Sequence, residues 1–399
     1  MIPYGHQDVD QSDVDAVTAV LRSDFLTQGE AVPRFEQAVA QRVQAQHAVA
    51  ANSATSALHL ACLALNLGPG DRLWTVPNTF VASANCARYC GADVDFVDID
   101  ARTWNMDVAA LESKLLRAAQ EQCLPKVVVP VHFGGQPTDQ AAIWALSRKF
   151  GFKVVEDASH SIGASRDGEP VGSCRWSDIT VFSFHPVKII TSGEGGMAMT
   201  NDASLAGRMR TFRSHGITRD AALFESPGEA GPWKYEQQML GFNYRLTDIH
   251  AALGASQLKR LDGYVELRNR LARRYDAALR ELPLQLPVVA AGSRSAFHLY
   301  VVRIDLAAVA KTRRSIFDAL RARQIGVNVH YTPVHLQPYY RALGFREGQF
   351  PEAEAYGESA ITVPLYPTMT EAQQDSVIGA LRETLRESLR GTAGAVQAQ

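Results

Sequence analysis

The stretch FSFHPVKIITSGEGGM, residues 182–197, joins a strand pattern to a lysine and a glycine-rich loop. Apolar and aromatic residues dominate its first half, Lys188 follows them, and Gly193, Gly195 and Gly196 come next. In α/β proteins, functional groups gather beyond the carboxyl ends of buried strands. This order of residues therefore predicts an α/β fold with a functional lysine at one edge of its sheet.

Apolar segments with the character of strands alternate with amphipathic helical segments around this stretch. The predicted strands are residues 73–77, 94–98, 126–132, 153–157, 178–184 and 196–200. Helical patterns occur at residues 12–22, 33–46, 52–65, 107–119 and 138–150. Continuous apolar strands that alternate with helices are typical of a mostly parallel sheet between two layers of helices.

The chain is long enough for two domains of unequal size. A helical run over residues 247–282, bent near Gly263, leads into a hinge at residues 283–295. Beyond the hinge we expect strands at 298–304 and 325–331 and helices at 311–323 and 370–386. Residues 220–234 read as a surface excursion, because two Pro-Gly pairs interrupt them. The predicted organisation is a large domain with an N-terminal segment and a long linking helix (1–282), a smaller C-terminal α+β domain (283–390) and a flexible tail (391–399).

Composition excludes several classes of protein. The formal net charge of −2 gives no general basic field for nucleic acid or an anionic membrane. The apolar runs are too short to span a bilayer, and residues 1–10 lack the features of a signal peptide. Five cysteines without a C-x-x-C pair predict buried thiols rather than a metal site. We expect a cytoplasmic protein with no metal and no nucleic-acid or membrane partner.

Four polar residues are predicted to meet at the edge of the sheet. Asp157 ends the strand in KVVEDASHSIGA (residues 153–164), His160 follows three residues later, and Ser183 and Lys188 belong to the next strand and its loop. A lysine amine can form a Schiff base with the aldehyde of pyridoxal 5'-phosphate (PLP). A carboxylate can keep the pyridine nitrogen protonated, which makes the ring an electron sink. The set therefore suggests a PLP site.

The cofactor's phosphate would need aligned N–H donors. NSATSALHL, residues 52–60, offers them at a helix N-terminus, with Ala54 and Thr55 in the first turn. Phe80 could stack on the open face of the ring. Each of these residues also has an ordinary structural interpretation: a solvated lysine, a turn aspartate or histidine, a helix cap or a core phenylalanine. Their order and spacing together favour the site.

Three other functions remain open from the residues alone. A nicotinamide-dependent oxidoreductase would suit the α/β pattern, but no G-x-G-x-x-G follows an early strand. A serine hydrolase could use Ser183 and His185, but no G-x-S-x-G surrounds Ser183. A non-catalytic binding or regulatory protein on the same fold is the third alternative.

Seven ordered motifs identify the chain as similar to the DegT/DnrJ/EryC/StrS sugar aminotransferases, which are fold-type I PLP enzymes. The motifs are LTQG (26–29), NSATSALH (52–59), EDASH (156–160), FSFHPVKIITSGEGG (182–196), FRSHG (212–216), GFNYRLTDIHAALGASQL (241–258) and NVHYTPVH (328–335). Some members carry histidine in place of Lys188 and catalyse a dehydration. The lysine in this chain implies transamination.

The resemblance implies a role for each matching residue. Lys188 would be the Schiff-base lysine, Asp157 the partner of the pyridine nitrogen, and His160 a contact on the oxygen side of the ring. Phe80 would stack above the ring. Ala54, Thr55 and Ser183 would hold the phosphate. Asn243 would reach the phosphate of the neighbouring subunit, which implies a homodimer with shared active sites.

Several segments resemble the branch of this family that acts in pseudaminic acid biosynthesis, among them MIPYG (1–5) and VNVHYTPVHLQPYYRALGF (327–345). This branch implies L-glutamate as amino donor and a UDP-linked 4-keto-6-deoxy-N-acetylhexosamine as acceptor. The implied substrate contacts are Tyr4, Asp24, Phe25, Leu26, Thr27, Ala54, Ser183, Asn243, Gly326, Val327, Asn328 and Val329. Candidates for the donor carboxylate or the diphosphate are Arg213, His215, Arg245 and His330. Another nucleotide-linked 4-keto-6-deoxy sugar is the alternative acceptor.

Overall fold

The computed structural model describes residues 1–225 and 231–389. The predicted tail at 391–399 and the middle of the predicted excursion at 220–234 lie outside the described residues. The strands are β1 (His47–Ala51), β2 (Arg72–Thr75), β3 (Asp93–Phe96), β4 (Val127–Val128), β5 (Lys153–Asp157), β6 (Ser165–Arg166), β7 (Glu169–Pro170), β8 (Ile179–Ser183), β9 (Gly196–Thr200), β10 (Ile217–Thr218), β11 (Glu236–Gln237), β12 (Leu284–Gln285), β13 (Ser293–Arg294), β14 (Tyr300–Ile304) and β15 (Ala360–Val363).

The α-helices are α1 (Gln11–Leu21), α2 (Ala31–Val43), α3 (Ala54–Ala64), α4 (Ala82–Tyr89), α5 (Val108–Gln120), α6 (Gln140–Phe150), α7 (Ala203–Arg213), α8 (Asp248–Leu258), α9 (Leu261–Leu279), α10 (Arg313–Ala322), α11 (Pro338–Ala342), α12 (Pro351–Ser359) and α13 (Glu371–Arg386). Within the described ranges, no helix is both long enough and apolar enough to cross a membrane.

A seven-stranded sheet in the order β1-β9-β8-β5-β4-β2-β3 forms the centre of the larger part of the chain. Strand β9 pairs antiparallel with both of its neighbours, and the other pairings are parallel. The predicted mostly parallel sheet is confirmed. Strands β5 and β9 have the predicted bounds, whereas β4 is shorter than predicted.

Both faces of this sheet are covered. Successive residues of one strand enter different hydrophobic clusters: Val181 and Ala198 pack on one side, Phe182 and Met197 on the other. Because side chains alternate between the faces of a strand, a strand buried on both sides is apolar along its whole length. This is why the sequence of β8 lacks the polar alternation of a half-exposed strand.

A smaller antiparallel sheet, β12-β14-β15, lies in the C-terminal part of the chain. Its hydrophobic cluster includes Leu271, Tyr275 and Leu279 from the second half of α9. The linking helix therefore packs into the C-terminal core, and the domain boundary at residue 282 stays a prediction. One buried cation joins these parts: Arg268 on α9 donates through Nη1 to the carbonyl oxygens of Phe297, His298 and Leu365, at 3.0–3.2 Å.

Two predictions of secondary structure were wrong. Residues 325–331 do not form a strand; Ile325 and Asn328 make only isolated bridges, to Ile2 and Thr362 respectively. The predicted helix at 247–282 is two helices, α8 and α9, and the chain breaks at residues 259–260 rather than at Gly263. The break lets α8 pack against α1 and α2 while α9 continues toward the C-terminal core.

Candidate active site

A cavity of about 340 Å³ lies beyond the carboxyl ends of β5 and β8, against the N-terminus of α3. It is partly open to solvent. Its lining contains residues that the sequence predicted from distant motifs: Tyr4, Ala54, Thr55, Phe80, Asp157, His160, Ser183 and Lys188. The edge of a parallel sheet thus brings together side chains that are far apart in sequence, as α/β folds generally do.

Lys188 lies in the loop that follows β8. This loop is fixed at both ends, because Lys188 N donates to His185 O at 2.9 Å and Ser192 N donates to Phe184 O at 2.9 Å. Burial lowers the pKa of the Lys188 amine to about 8, and Asp157 opposes part of that shift. Because an amine with a lowered pKa is partly neutral near pH 7, it can act as a nucleophile or a base.

Asp157 is the last residue of β5, and it is buried. Its carboxylate accepts hydrogen bonds from Ser83 Oγ at 2.6 Å and from the backbone N–H of Ser159 at 3.1 Å. These two donors fix the orientation of the carboxylate at the wall of the cavity. A carboxylate held in this way can hold a protonated ring nitrogen in place.

The N-terminus of α3 contributes backbone donors to the cavity. Ser53 caps the helix, and its Oγ accepts the N–H of Ser56 at 3.1 Å. The first N–H groups of the helix, those of Ala54 and Thr55, precede the helix's own hydrogen-bond ladder. Gly196 packs directly against this turn, since a Cβ at that position would lie 2.4 Å from Ala54 N. The close approach holds the helix end beside β9, where its dipole favours an anion.

His160 is buried in the cavity wall. Burial lowers its pKa well below the ordinary value for histidine, and nearby Lys188 and His330 lower it further. Gly134 N donates to His160 Nδ1 at 3.3 Å, so the proton of the neutral ring lies on Nε2. Nε2 is 3.4 Å from the hydroxyl of Tyr331. His160 can therefore donate a hydrogen bond from Nε2.

Phe80 is 57% exposed although it belongs to the cavity lining. Its ring centroid lies 6.2 Å from that of Tyr331. An aromatic side chain with so much free surface at the mouth of a cavity differs from the core phenylalanine of the ordinary interpretation. It is available to pack against a planar ligand.

Several predicted substrate contacts lie away from this cavity. Asn243 is exposed, and so are the side chains of the loop after α1, Asp24, Phe25, Leu26 and Thr27. Gly326 and Val327 are buried, and Asn328 and Val329 are half-buried; none of these four is part of the lining. Their neighbours His330 and Tyr331 are in the lining instead. Within one chain, the structure joins only part of the predicted substrate set to the cavity.

The basic residues predicted to bind the donor carboxylate or the diphosphate do not all lie at the cavity. His330 lines the cavity, and its ring lies 5.4 Å from that of Tyr4. Arg213 pairs with Glu36 at 2.7 Å, which is an ordinary structural role. Arg245 and His215 are not part of the lining, and the His215 side chain is exposed.

Among the cavity-lining residues that sequence reasoning missed are three with ionisable side chains: Glu194, His298 and Tyr331. Glu194 lies within the glycine-rich loop, and Tyr331 lies within the motif NVHYTPVH, so both were inside recognised motifs. His298 had no such signal, because the sequence placed it at the start of a strand. The strand begins at Tyr300, which leaves His298 in the preceding loop.

The residues present fit PLP. The cavity combines a lysine amine of lowered pKa, an oriented carboxylate, a histidine donor, a helix N-terminus and an exposed aromatic ring. No group of three or more His, Cys, Asp or Glu side chains among residues 1–225 and 231–389 could hold a metal ion.

Known proteins resemble this chain over nearly its whole length. The sequence profile of the DegT/DnrJ/EryC1/StrS aminotransferase family matches residues 7–382. The spore coat polysaccharide biosynthesis protein SpsC of Bacillus subtilis is 39% identical over 388 residues, which are 96% of this chain and 97% of SpsC.

Solved structures also share the fold of this chain over nearly its whole length. Helicobacter pylori PseC, an aminotransferase involved in the biosynthesis of pseudoaminic acid, has a TM-score of 0.86 and 29% identity, over 97% of this chain and 99% of PseC. Streptococcus pneumoniae Spr1654 in its PMP form has a TM-score of 0.87 and 28% identity, over 97% of this chain and 100% of that one. Spr1654 has also been solved in a PLP form.

Proposed function

The chain belongs to the DegT/DnrJ/EryC1/StrS aminotransferase family, and from this premise we propose the reaction that it catalyses. It is a sugar aminotransferase that uses PLP, which becomes pyridoxamine 5'-phosphate (PMP) in the half-reaction. It moves the amino group of L-glutamate to the C4 keto group of a UDP-linked 4-keto-6-deoxy-N-acetylhexosamine. The products are UDP-4-amino-4,6-dideoxy-N-acetyl-β-L-altrosamine and 2-oxoglutarate.

One observation carries the proposal: the amine of Lys188, with its pKa lowered to about 8, lies in the same cavity as the oriented Asp157 carboxylate and the N-terminus of α3. When bound, PLP supplies an aldehyde that carries the amino group and a ring that delocalises electrons from the donor's Cα. A lysine without this ring would have no electron sink to work with, and the ring without Asp157 would hold its nitrogen proton poorly.

The chain's own residues have distinct tasks. Lys188 would hold the cofactor through its amine, and its Nζ would move the proton away from Cα of L-glutamate. A base whose pKa lies close to neutrality is suited to this proton transfer. Asp157 would keep the proton on the ring nitrogen, and His160 Nε2 would donate to the oxygen side of the ring. The helix end at Ala54 and Thr55, with Ser183, would bind the phosphate.

The acceptor is proposed from PseC, which acts in the biosynthesis of pseudoaminic acid and shares the fold over nearly the whole chain. Tyr4, Ala54 and Ser183 line the cavity and would contact the sugar nucleotide directly. The exposed residues Asn243 and 24–27 would reach the substrate of a partner subunit in a homodimer with shared sites. Residues 326–329 would support the substrate from behind His330.

SpsC favours a second acceptor. It is more similar in sequence than PseC, and it acts in the biosynthesis of a spore coat polysaccharide. Another nucleotide-linked 4-keto-6-deoxy sugar is therefore the alternative substrate for the same chemistry. Assays with L-glutamate and a panel of such sugars, which vary in base, C2 substituent and ring stereochemistry, separate the two.

The aminotransferase proposal is tested by Lys188→Ala. We expect amino transfer to fall on the order of 10⁴-fold or more, because both the covalent anchor and the base are lost. Borohydride should fix PLP to the wild-type peptide that contains Lys188 and leave the variant unlabelled. The matched control is Lys153→Ala, at the other end of β5, where the lysine pairs with Asp178 at 2.9 Å.

The control should keep its activity and its visible absorbance. A colourless wild-type protein that binds the sugar nucleotide without amino transfer would favour a binding or regulatory protein on this fold. Normal turnover by Lys188→Ala would contradict the proposed role of the lysine.

A further inference from the structure

His298 occupies a fixed place in the cavity wall. Its loop packs on residues 134–135, because Ala296 N donates to Gly135 O at 2.9 Å and Leu299 N donates to Gly134 O at 3.1 Å. Gly135 allows this contact; at its φ of +106° a Cβ would lie 2.9 Å from His298 N. The backbone oxygen of His298 also accepts from Nη1 of Arg268 at 3.2 Å. The position of His298 is therefore determined by its backbone.

The His298 ring packs directly on the His160 ring. The two ring centroids are 4.4 Å apart, and the planes are inclined by 46°. Both side chains are buried, and both line the cavity. Nδ1 of His298 is buried without a hydrogen-bond partner among the described residues.

Both rings are neutral in the folded protein. Burial lowers the pKa of His298 well below the ordinary value, and His160 and Lys188 lower it further. The charged and titratable groups around the two rings come from several segments and are Asp157, Lys188, Arg268, His330 and Tyr331. Most of them disfavour a positive charge on either ring. His298 can thus pack on His160 without repelling it.

We propose that His298 is a positioning residue that holds the Nε2–H of His160 toward the ring oxygen of bound PLP. The inference rests on the proposed function. Gly134 fixes one nitrogen of His160. Of the rings of Phe133, Tyr331 and His298 that contact the His160 ring, that of His298 packs at the shortest centroid distance, 4.4 Å. The close, tilted packing of His298 limits the rotation of the His160 ring. His160 then donates to the oxygen in one fixed direction.

The consequence is measurable in the colour of the bound cofactor. Negative charge on the ring oxygen favours the protonated form of the linkage between Lys188 and PLP. A hydrogen bond from His160 draws charge from that oxygen and so favours the unprotonated form. If His160 is no longer held in place, the pH midpoint of the colour change should rise.

The test is an absorbance titration of PLP-loaded His298→Leu and of the wild type. We expect the midpoint to rise by roughly 0.5 pH unit, a fraction of the effect of losing a whole hydrogen-bond partner. His298→Gln should shift it in the same direction, because it is polar but lacks the ring; it serves also where the leucine variant does not fold. His335→Leu is the control, since His335 is equally buried but pairs with Glu354 at 2.9 Å outside the cavity.

The decisive comparison uses His160→Leu as background. If His298 acts through His160, adding His298→Leu to His160→Leu leaves the midpoint where His160→Leu alone puts it. An equal rise in both backgrounds, or no rise from His298→Leu and His298→Gln in the wild type, overturns the inference. A rise with His335→Leu of the same size also overturns it, because general destabilisation would then explain the shift. A wild type that binds no PLP instead overturns the proposed function itself.

Discussion

Glu156 and Asp157 are adjacent carboxylates on β5, and the two faces of the sheet give them opposite roles. Asp157 faces the cavity, where Ser83 and Ser159 orient it. Glu156 points to the other face and is 1% exposed. Residue type and position in the strand are nearly the same for both. What differs is the set of groups that the rest of the chain brings to each face.

The environment of Glu156 is closed. Its carboxylate accepts hydrogen bonds from Gln140 Nε2 at 2.6 Å, Thr180 Oγ1 at 2.6 Å and Ser177 Oγ at 3.2 Å. His132 Nε2 lies 3.6 Å away. Burial raises the pKa of Glu156, but His132 and the hydrogen bonds outweigh it, so the pKa is lowered. A carboxylate with all of its partners inside the protein stabilises the fold and has no free side for a ligand.

The largest effect expected from this comparison is on activity, which should depend on Asp157 far more than on Glu156. Asp157→Asn removes the negative charge that we propose holds the ring nitrogen of PLP, and we expect amino transfer to fall on the order of 10²–10³-fold, as when other charge-stabilising groups are removed from active sites. The melting temperature should change little, since asparagine keeps the size of the side chain. Steady-state kinetics with L-glutamate and differential scanning fluorimetry measure the two quantities. Equal losses in Asp157→Asn and Glu156→Gln would break the comparison.

The next largest effect is on stability, which should depend on Glu156 more than on Asp157. Glu156→Gln replaces an acceptor-only group with an amide that must point a donor at Gln140 or Thr180. We expect a loss of about 3 kcal/mol in the free energy of unfolding, the usual result of removing one member of a buried charged network. Activity per folded molecule should stay near the wild-type value. Urea unfolding measures the loss, and an unchanged midpoint would show that the network contributes little.

Asn243 extends the comparison to a residue outside the cavity of its own chain. Asn243→Ala should weaken PLP binding about 10-fold, the effect of losing one hydrogen bond to a charged group. Co-expression with Lys188→Ala then gives mixed dimers, in which one site has both residues if Asn243 acts across the interface. Those dimers should recover activity that neither variant has in full. Failure to recover any would place the action of Asn243 within one chain.

The smallest expected effect is the loss of stability at acidic pH. Because the pKa of Glu156 is lowered by folding, its contribution to stability is present above the ordinary value of 4.5 and is lost as the pH falls through the folded pKa. The unfolding free energy of the wild type should therefore fall as the pH drops below 4.5. In Glu156→Gln this part of the slope should be absent. Unfolding curves from pH 3 to 6 test it, and parallel slopes in the two proteins would contradict it.

Sequence reasoning succeeded where local pattern determines structure. Strands β5 and β8 contain β-branched apolar residues, so the positions of Asp157 at the end of β5 and of Lys188 in the loop after β8 could be predicted before any contact was known. A parallel sheet then brings these ends together without further information. The same logic could not tell that Glu156 and Asp157 have different partners, because those partners come from distant segments.

Sequence reasoning failed where strand pairing and loop contacts depend on residues far apart in the sequence. Residues 325–331 alternate like a strand, but they make only two isolated bridges, from Ile325 to Ile2 and from Asn328 to Thr362. Strand β1, HAVAA, consists mostly of small residues and was assigned to no element, although it pairs with β9. The local pattern predicted His298 to lie in a strand. It lies in a loop, because Gly134 and Gly135, more than 150 residues earlier in sequence, hold that segment in place.

Arg268 links α9 to two other segments of the chain through buried hydrogen bonds. Arg268 is 1% exposed, and its guanidinium pairs with no carboxylate among the described residues; it donates instead to backbone oxygens of two segments, around His298 and at Leu365. Swinging the C-terminal sheet away from α9 would strip a buried cation of these acceptors, which is far costlier than moving exposed side chains. We therefore expect the segments behind the cavity to keep their positions, and a ligand to enter beside the exposed Phe80.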